Sequence, residues 1–181
     1  MNIAAQCGTV IRKRRNTLRT KAELKTLVSK LALLLLGALL LFTQCFCIFQ
    51  APDNGMYPAI QAGDPVFGYR LDREYEKNDV VVYLVNGERK LGRVIGKEGD
   101  TVSMDEEGNL YVNGTIQRDR IAFATFPSDK DTVQYPYTIP QGQCFLLGDY
   151  RTQSEDSRDF GAIQQKYITA KIISVFRRRN I

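Results

Sequence analysis

The chain has 181 residues, of which 44% are hydrophobic and 25% are charged, and it contains no histidine. At roughly 150 residues per domain, this length predicts one domain with an appendage. The lack of histidine excludes Ser-His-Asp and Cys-His nucleophilic sites and every metal site that needs an imidazole ligand. The cysteines are too scattered for a thiolate zinc site, so we expect no metal and no cofactor.

The charge is concentrated at the N-terminus. Residues 1–30 carry eight Lys or Arg and one acid, a net charge of +7, whereas the rest of the chain carries 17 basic and 19 acidic residues. The positive net charge therefore describes an N-terminal arm, and we expect no nucleic-acid partner.

A long apolar segment follows this arm. No charged residue occurs between Lys30 and Asp53, and residues 31–49 read LALLLLGALLLFTQCFCIF. A helix of about 20 apolar residues spans the hydrocarbon core of a bilayer. The basic arm then predicts, by the positive-inside rule, a cytoplasmic arm at 1–30, a transmembrane anchor at 31–49 and an extracytoplasmic domain at 50–181.

A cleaved signal peptide is the alternative interpretation of this segment. Its cleavage site would need small residues, but the segment ends in Phe49 and Pro52 would follow the cut. We therefore favour an uncleaved anchor in the cell membrane.

Beyond residue 50 the pattern is typical of strands. Short runs rich in Val, Ile, Tyr and Phe are bounded by Gly, Asn and Asp, and Asn86-Gly87 and Asn113-Gly114 are signals for type I′ hairpin turns. Cys144 is expected to be a buried thiol. The predicted strands lie at 65–71, 79–85, 89–95, 110–112, 144–147 and 166–176. The sequence predicts a mainly β, antiparallel domain that is closed or nearly closed.

Four blocks then resemble type I signal peptidases, most closely in their Gram-positive form. These are membrane-bound serine proteases that remove signal peptides outside the membrane. The blocks are NGMYPAI at 54–60, NDVVVY at 78–83, KLGRVIGKEGDTV at 90–102, and LGDYR with SEDSRDFG at 147–161. The resemblance implies the signal-peptidase fold behind one N-terminal transmembrane helix.

The resemblance also implies a Ser nucleophile and a neutral Lys base, which need no histidine. The nucleophile would stand at position 55 and the base at position 92, and both are glycine. Lys90 lies two residues from Gly92, about 6–7 Å along the strand, and Gly55 offers no hydroxyl. Asp53 adds a negative charge where an oxyanion would need the opposite sign. We therefore expect no catalytic residue and a pseudoenzyme of this family.

Other site residues follow from the same resemblance. Ser154 takes the position that would orient the catalytic Lys. The predicted binding cleft consists of Asp53, Gly55, Met56, Tyr57, Pro58, Gly92 and Ser154. The predicted structural support is an ion-paired loop that contains Asp149, Arg151, Asp156 and Arg158.

Three hypotheses about function follow. The favoured one is a membrane-anchored binding protein whose cleft, widened at its floor by two glycines, holds exported chains without cutting them. It is similar to the signal-peptidase-like accessory or chaperone-like proteins of pilus assembly, so its expected partners are a pilin or another exported segment, and a pilus sortase. The alternatives are an active signal peptidase with a non-standard site, and a decayed or purely structural membrane protein.

Overall fold

The structure, a computed structural model, describes residues 3–117, 123–130 and 132–177. The chain divides into two compact units, Met1–Gln44 and Cys45–Ile181. Helix α1 (Ile3–Cys45) makes up the first unit and ends at the first residue of the second. Its stretch Glu23–Cys45 has a mean hydropathy of 2.1 and is long and apolar enough to cross a membrane.

The end of the apolar segment differs from our expectation of a helix to Phe49. Residues Phe46–Gln50 form strand β1, which pairs antiparallel with β2 (Pro65–Tyr69). The ring of Phe46 stacks on that of Phe67 at 5.2 Å between centroids, while Cys47 and Phe49 pack against the core. Residues 46–50 thus have a partner strand and apolar contacts for their side chains. These tertiary contacts favour an extended backbone over continuation of the helix.

The second unit contains two antiparallel sheets. The larger sheet has the strand order β1-β2-β11-β3-β4-β9-β10, and the smaller has the order β7-β6-β5-β8. The remaining strands of the larger sheet are β3 (Val80–Val85), β4 (Glu88–Lys97), β9 (Gln143–Leu147), β10 (Ile163–Gln164) and β11 (Ile168–Val175). Those of the smaller sheet are β5 (Thr101–Met104), β6 (Leu110–Val112), β7 (Thr115–Ile116) and β8 (Tyr137–Thr138). The prediction of a mainly antiparallel β domain behind one apolar helix is confirmed. The strands pair as two open sheets in the described part of the chain, rather than as one closed barrel.

Two hairpin turns form where the sequence predicts them. Asn86 and Gly87 have φ values of 51° and 83°, and Asn113 and Gly114 have values of 52° and 72°. Positive φ at both central residues is the requirement of a type I′ turn. The first turn fixes the register of β3 and β4, which pairs Val81 with Gly92.

The core of the second unit consists of three hydrophobic clusters, and each of them includes a residue of β4. Leu91 belongs to one cluster, Val94 to another and Ile95 to the third. Cys144 on β9 is fully buried, as expected, and burial raises the pKa of its thiol. Strand β4 therefore connects the core to the loops that carry the candidate site.

A short helix completes the unit. Helix α2 (Ser157–Phe160) begins after Asp156, whose carboxylate accepts a hydrogen bond from the N–H of Arg158. The Asp159 carboxylate accepts one in return from the Asp156 N–H at 3.0 Å. This reciprocal capping satisfies N–H groups at the helix start and fixes the loop that follows β9. A 3₁₀ turn (Gln165–Tyr167) then leads from β10 into β11.

Candidate functional site

Three segments of the second unit line a cavity of about 280 Å³. They are the loop after β1, the start of β4 and the loop after β9. The lining residues are Asp53, Asn54, Gly55, Lys90, Leu91, Gln153, Ser154 and Glu155. The structure thus brings together three residues of the predicted cleft, Asp53, Gly55 and Ser154. Within the described part of the chain, no group of three or more Cys, Asp or Glu side chains is placed to hold a metal ion.

Gly55 belongs to the first of these segments, the loop after β1. Its N–H donates a 2.8 Å hydrogen bond to Oδ1 of Asp53, and its carbonyl accepts one of 2.9 Å from the N–H of Tyr150. A Cβ atom built at Gly55 would lie 3.0 Å from the same Asp53 oxygen and 3.7 Å from Cβ of Ser154. The backbone N–H at this position is therefore occupied by a carboxylate.

The next three residues of the predicted cleft do not line this cavity. Met56 is only 1% exposed and packs in the core beside Val66. Tyr57 is on the surface, with its ring 5.6 Å from that of Tyr150, and the Pro58 carbonyl accepts a 2.8 Å hydrogen bond from Arg177. The chain turns directly after Gly55, as the 2.9 Å hydrogen bond from the Ile60 N–H to the Met56 carbonyl indicates, so successive side chains leave the cavity wall.

Gly92 is buried in β4 and also does not line the cavity. A Cβ atom built there would lie 3.0 Å from Cε1 of Tyr83 and 3.3 Å from Cβ of Leu146. The expectation that two glycines widen the floor of the groove is therefore wrong at Gly92. The ring of Tyr83 fills the space in front of it.

Tyr83 is a residue of this region that the sequence did not indicate. It is fully buried, and none of the described residues forms a hydrogen bond with its hydroxyl group. Burial raises the pKa of this hydroxyl far above its ordinary value, and the negative charges of Asp156 and Asp53 raise it further. The phenol is therefore neutral at any physiological pH. The sequence contains one signal for this contact, a Tyr on β3 and a Gly on the neighbouring strand β4. The contact can be inferred only when the register of the two strands is known.

Lys90 does reach the cavity. Its ammonium group lies 2.5 Å from Oε2 of Glu155, and its side chain is 13% exposed. Lys130 contacts the other carboxylate oxygen of Glu155 at 3.1 Å. Hydrogen bonds from Lys90 and Lys130 lower the pKa of Glu155. An ammonium group held by a carboxylate has no lone pair with which to accept a proton.

Ser154 lines the same cavity as Lys90, but its hydroxyl group forms hydrogen bonds with other residues. Ser154 Oγ donates a 2.7 Å hydrogen bond to Oδ2 of Asp156 and accepts one of 3.1 Å from Nη2 of Arg158. Activation of a hydroxyl nucleophile requires a hydrogen bond to a general base. Here the acceptor is a carboxylate already paired with a guanidinium group.

The four predicted support residues are all buried, with exposures of 1% to 7%. Arg158 binds both carboxylate oxygens of Asp156 at 2.9 Å. Asp149 is held in the same bidentate way by Arg93 of β4, at 2.8 and 2.5 Å, a partner that the sequence did not indicate. Arg151 donates to the Gly148 carbonyl at 2.8 Å and to the Thr125 hydroxyl at 2.5 Å. These bonds connect the loop after β9 to β4 and to the segment around Thr125.

The fold and site define a mainly β protein with a polar cavity between its loops and an apolar N-terminal helix. A family model described as "Signal peptidase, peptidase S26" matches residues 24–177. The chain therefore belongs to the signal peptidase family, peptidase S26.

The chain is also similar to individual proteins. The chain is 29% identical over 153 residues to signal peptidase I of Bacillus licheniformis, covering 77% of this chain and 81% of the relative. It is 27% identical over 142 residues to thylakoidal processing peptidase 1 of Arabidopsis thaliana, covering 70% of this chain but only 40% of that protein. A solved signal peptidase I from Enterococcus faecalis is 28% identical and covers 56% of this chain and 97% of its own, with a TM-score of 0.45.

Proposed function

We propose that this protein is a membrane-anchored, noncatalytic member of the signal peptidase family that binds exported chains. In this proposal residues 1–30 lie in the cytoplasm, residues 31–45 anchor the chain in the lipid bilayer, and residues 46–181, which begin with strand β1, lie outside. Its role is that of an accessory or chaperone-like factor in the assembly of pili or surface proteins. The bound segment belongs to a pilin or another exported protein, and a pilus sortase is a further partner.

The observation that carries the proposal is the pair of glycines at positions 55 and 92. The resemblance puts the Ser nucleophile and the Lys base at these positions, and neither residue has a side chain. Removal of such a nucleophile–base unit costs on the order of a million-fold in turnover. Oxyanion donors and binding alone leave about 10³–10⁴-fold over water. That remainder is too small for the processing of exported proteins.

The cavity supports a binding role. It is bordered by the start of β4 and by the loop backbone around Gly55, where a glycine allows close approach of another chain. An extended peptide binds beside strands through main-chain hydrogen bonds, with its alternate side chains in pockets. Polar groups such as Asn54 and Gln153 line the walls and offer donors and acceptors to a peptide backbone.

One observation favours the alternative of an active signal peptidase with a non-standard site. Lys90 and Ser154 line the same cavity. Their hydrogen bonds oppose it, because the ammonium group is bound to Glu155 and the hydroxyl to Asp156. The two functions differ in a direct assay of the purified full chain with a preprotein. The proposal predicts no cleavage over hours, whereas cleavage that Ser154→Ala abolishes would establish the alternative.

Binding is tested by site-specific photocrosslinking in intact membranes. A photoreactive amino acid replaces Gln153, which is exposed in the cavity wall, and a matched variant carries it at the exposed Glu106, outside the cavity lining. We expect an exported pilin or surface protein, identified by mass spectrometry, to be crosslinked from position 153 and not from position 106. Equal capture from both positions, or capture of no exported protein, would contradict the proposal. The decayed-protein hypothesis additionally predicts that deletion leaves surface assembly unchanged.

A further inference from the structure

The charged side chains in and around the cavity differ in how they are balanced. Lys90 and Lys130 each bind one carboxylate oxygen of Glu155, and Lys130 also contacts Asp159 at 3.4 Å. These two lysines and two acids form a group with no net charge. Asp53 lines the cavity outside this group, and none of the described lysine or arginine side chains forms an ion pair with its carboxylate. The cavity therefore presents one uncompensated negative charge.

The carboxylate of Asp53 is exposed and is oriented by the backbone of its own loop. Oδ1 accepts the 2.8 Å hydrogen bond from the Gly55 N–H, while Oδ2 has no hydrogen-bond partner within the described part of the chain. A Cβ atom built at Gly55 would lie 3.0 Å from Oδ1 of Asp53 and 3.7 Å from Cβ of Ser154. Both side chains thus border the space that a side chain at position 55 would take. The glycine leaves the carboxylate open to a ligand.

The size and polarity of the cavity limit which part of a peptide can enter it. Its volume of about 280 Å³ lies just below the roughly 300–1,000 Å³ of sites for whole small molecules, so it suits a single long side chain. Among the residues that line it, Leu91 is the only one with an apolar side chain. An aliphatic side chain would therefore find few apolar contacts. A long cationic side chain can place its methylene groups on apolar surface and its charged end beside a polar group.

We propose that Asp53 determines which exported segment the cavity binds, by pairing with a lysine or arginine side chain of that segment, an inference that rests on the proposed function. The cation forms a charge-assisted hydrogen bond with the open oxygen of the carboxylate, and the main chain of the segment lies beside the start of β4. An acidic side chain is disfavoured, because the ammonium group of Lys90 is already bound to Glu155. Asp53 thus determines specificity and takes part in no chemical step.

This preference is tested by photocrosslinking to the purified full chain in detergent. A photoreactive amino acid replaces Gln153 in the cavity wall. The probes are an equimolar mixture of peptides of alternating Ala and Thr, acetylated and amidated at their ends, that differ only in a central Lys, Arg, Gln or Glu. Mass spectrometry measures the yield of each crosslinked peptide. We expect the Lys and Arg peptides to exceed the Gln peptide about 5-fold, which corresponds to the ~1 kcal/mol of a favourable exposed ion pair.

The decisive variant is Asp53→Asn. Its amide oxygen can still accept the hydrogen bond from the Gly55 N–H, so the substitution removes the charge and retains the loop contact. We expect the preference for the Lys and Arg peptides over the Gln peptide to disappear. Glu106→Gln is the matched control, because it removes an exposed acid outside the cavity lining. We expect this control to keep the full preference.

The outcomes separate this inference from the proposed function. Equal capture of all four peptides from position 153, a preference for the Glu peptide, or a preference for Lys and Arg that survives in Asp53→Asn would overturn the role of Asp53 and leave peptide binding intact. Capture of none of the peptides, or equal capture by a photoreactive amino acid at position 106, would contradict the proposed function and this inference with it.

Discussion

Asp156 gives the most direct test of how the loop after β9 is held. Its side chain is 1% exposed, and its two carboxylate oxygens accept hydrogen bonds from Arg158 at 2.9 Å. They also accept bonds from Ser154 Oγ at 2.7 Å and from the Gly148 N–H at 3.0 Å. The substitution Asp156→Ala would leave the guanidinium group of Arg158 buried without this carboxylate.

The expected loss of stability is large. Breaking a buried ion pair by removing one partner costs about 3–5 kcal/mol, and loss of the helix N-cap adds about 1 kcal/mol. We therefore expect Asp156→Ala to lower the free energy of unfolding by about 4–6 kcal/mol, a large part of the roughly 5–15 kcal/mol that folded domains possess.

Urea denaturation of the full chain in detergent measures this loss. The chain has nine tyrosines and no tryptophan, so near-UV circular dichroism or tyrosine fluorescence reports unfolding of the β unit. Glu155→Ala is the matched control, because Glu155 is the adjacent acid but its side chain is 54% exposed. We expect it to cost about 0–1 kcal/mol. If Asp156→Ala costs no more than Glu155→Ala, the loop is not held by this buried pair.

Three further outcomes follow from the site. Tyr83→Phe removes a buried hydroxyl group that has no hydrogen-bond partner among the described residues. We therefore expect the free energy of unfolding to rise by about 1 kcal/mol. A lower melting temperature in this variant would contradict the prediction. Burial raises the pKa of Asp159, but hydrogen bonds from Ser128 and the backbone outweigh it and hold the pKa below the ordinary 3.8. The ionised Asp159 carboxylate therefore stabilises the fold fully above this pH, and this stabilisation is lost as the pH falls below it. We expect the urea midpoint of the wild type to fall on acidification, and that of Asp159→Asn to fall by less. Arg177 donates hydrogen bonds to the carbonyls of Pro58 and Ala59 at 2.8 and 2.9 Å. We therefore expect Arg177→Ala to speed limited proteolysis at residues 53–63. An unchanged digestion rate would show that Arg177 does not hold this loop in place.

Local signals predicted much of the β unit. The Asn-Gly pairs gave both hairpin turns, because the need for positive φ is a property of the two residues themselves. Runs such as 80–85 are apolar enough to be recognised as strands in any surroundings. By contrast, Phe46–Gln50 continues an apolar helix without a break, and its strand conformation depends on pairing with Pro65–Tyr69. No local pattern contains that information.

The sequence predicted only those parts of the candidate site that local motifs contain. Gly55 and Ser154 lie in motifs, and the structure brings them to one cavity. Tyr83 and Arg93 were not predicted, because the residues that they contact lie on a neighbouring strand or far away in the sequence. Arg93 binds Asp149 across 56 positions. The ring of Tyr83 lies against Gly92 because the Asn86-Gly87 turn sets a register that pairs Tyr83 with Lys90, two residues from Gly92 on the same strand. Such contacts require the strand pairing before they can be inferred.

The position of β11 has a consequence for the order of assembly. This strand lies between β2 and β3, so residues 168–175 connect an early hairpin to the strands that follow it. During synthesis, the larger sheet stays split until these residues have emerged. A chain arrested before residue 168 would expose two unpaired strand edges, which can pair with the strands of other chains and cause aggregation.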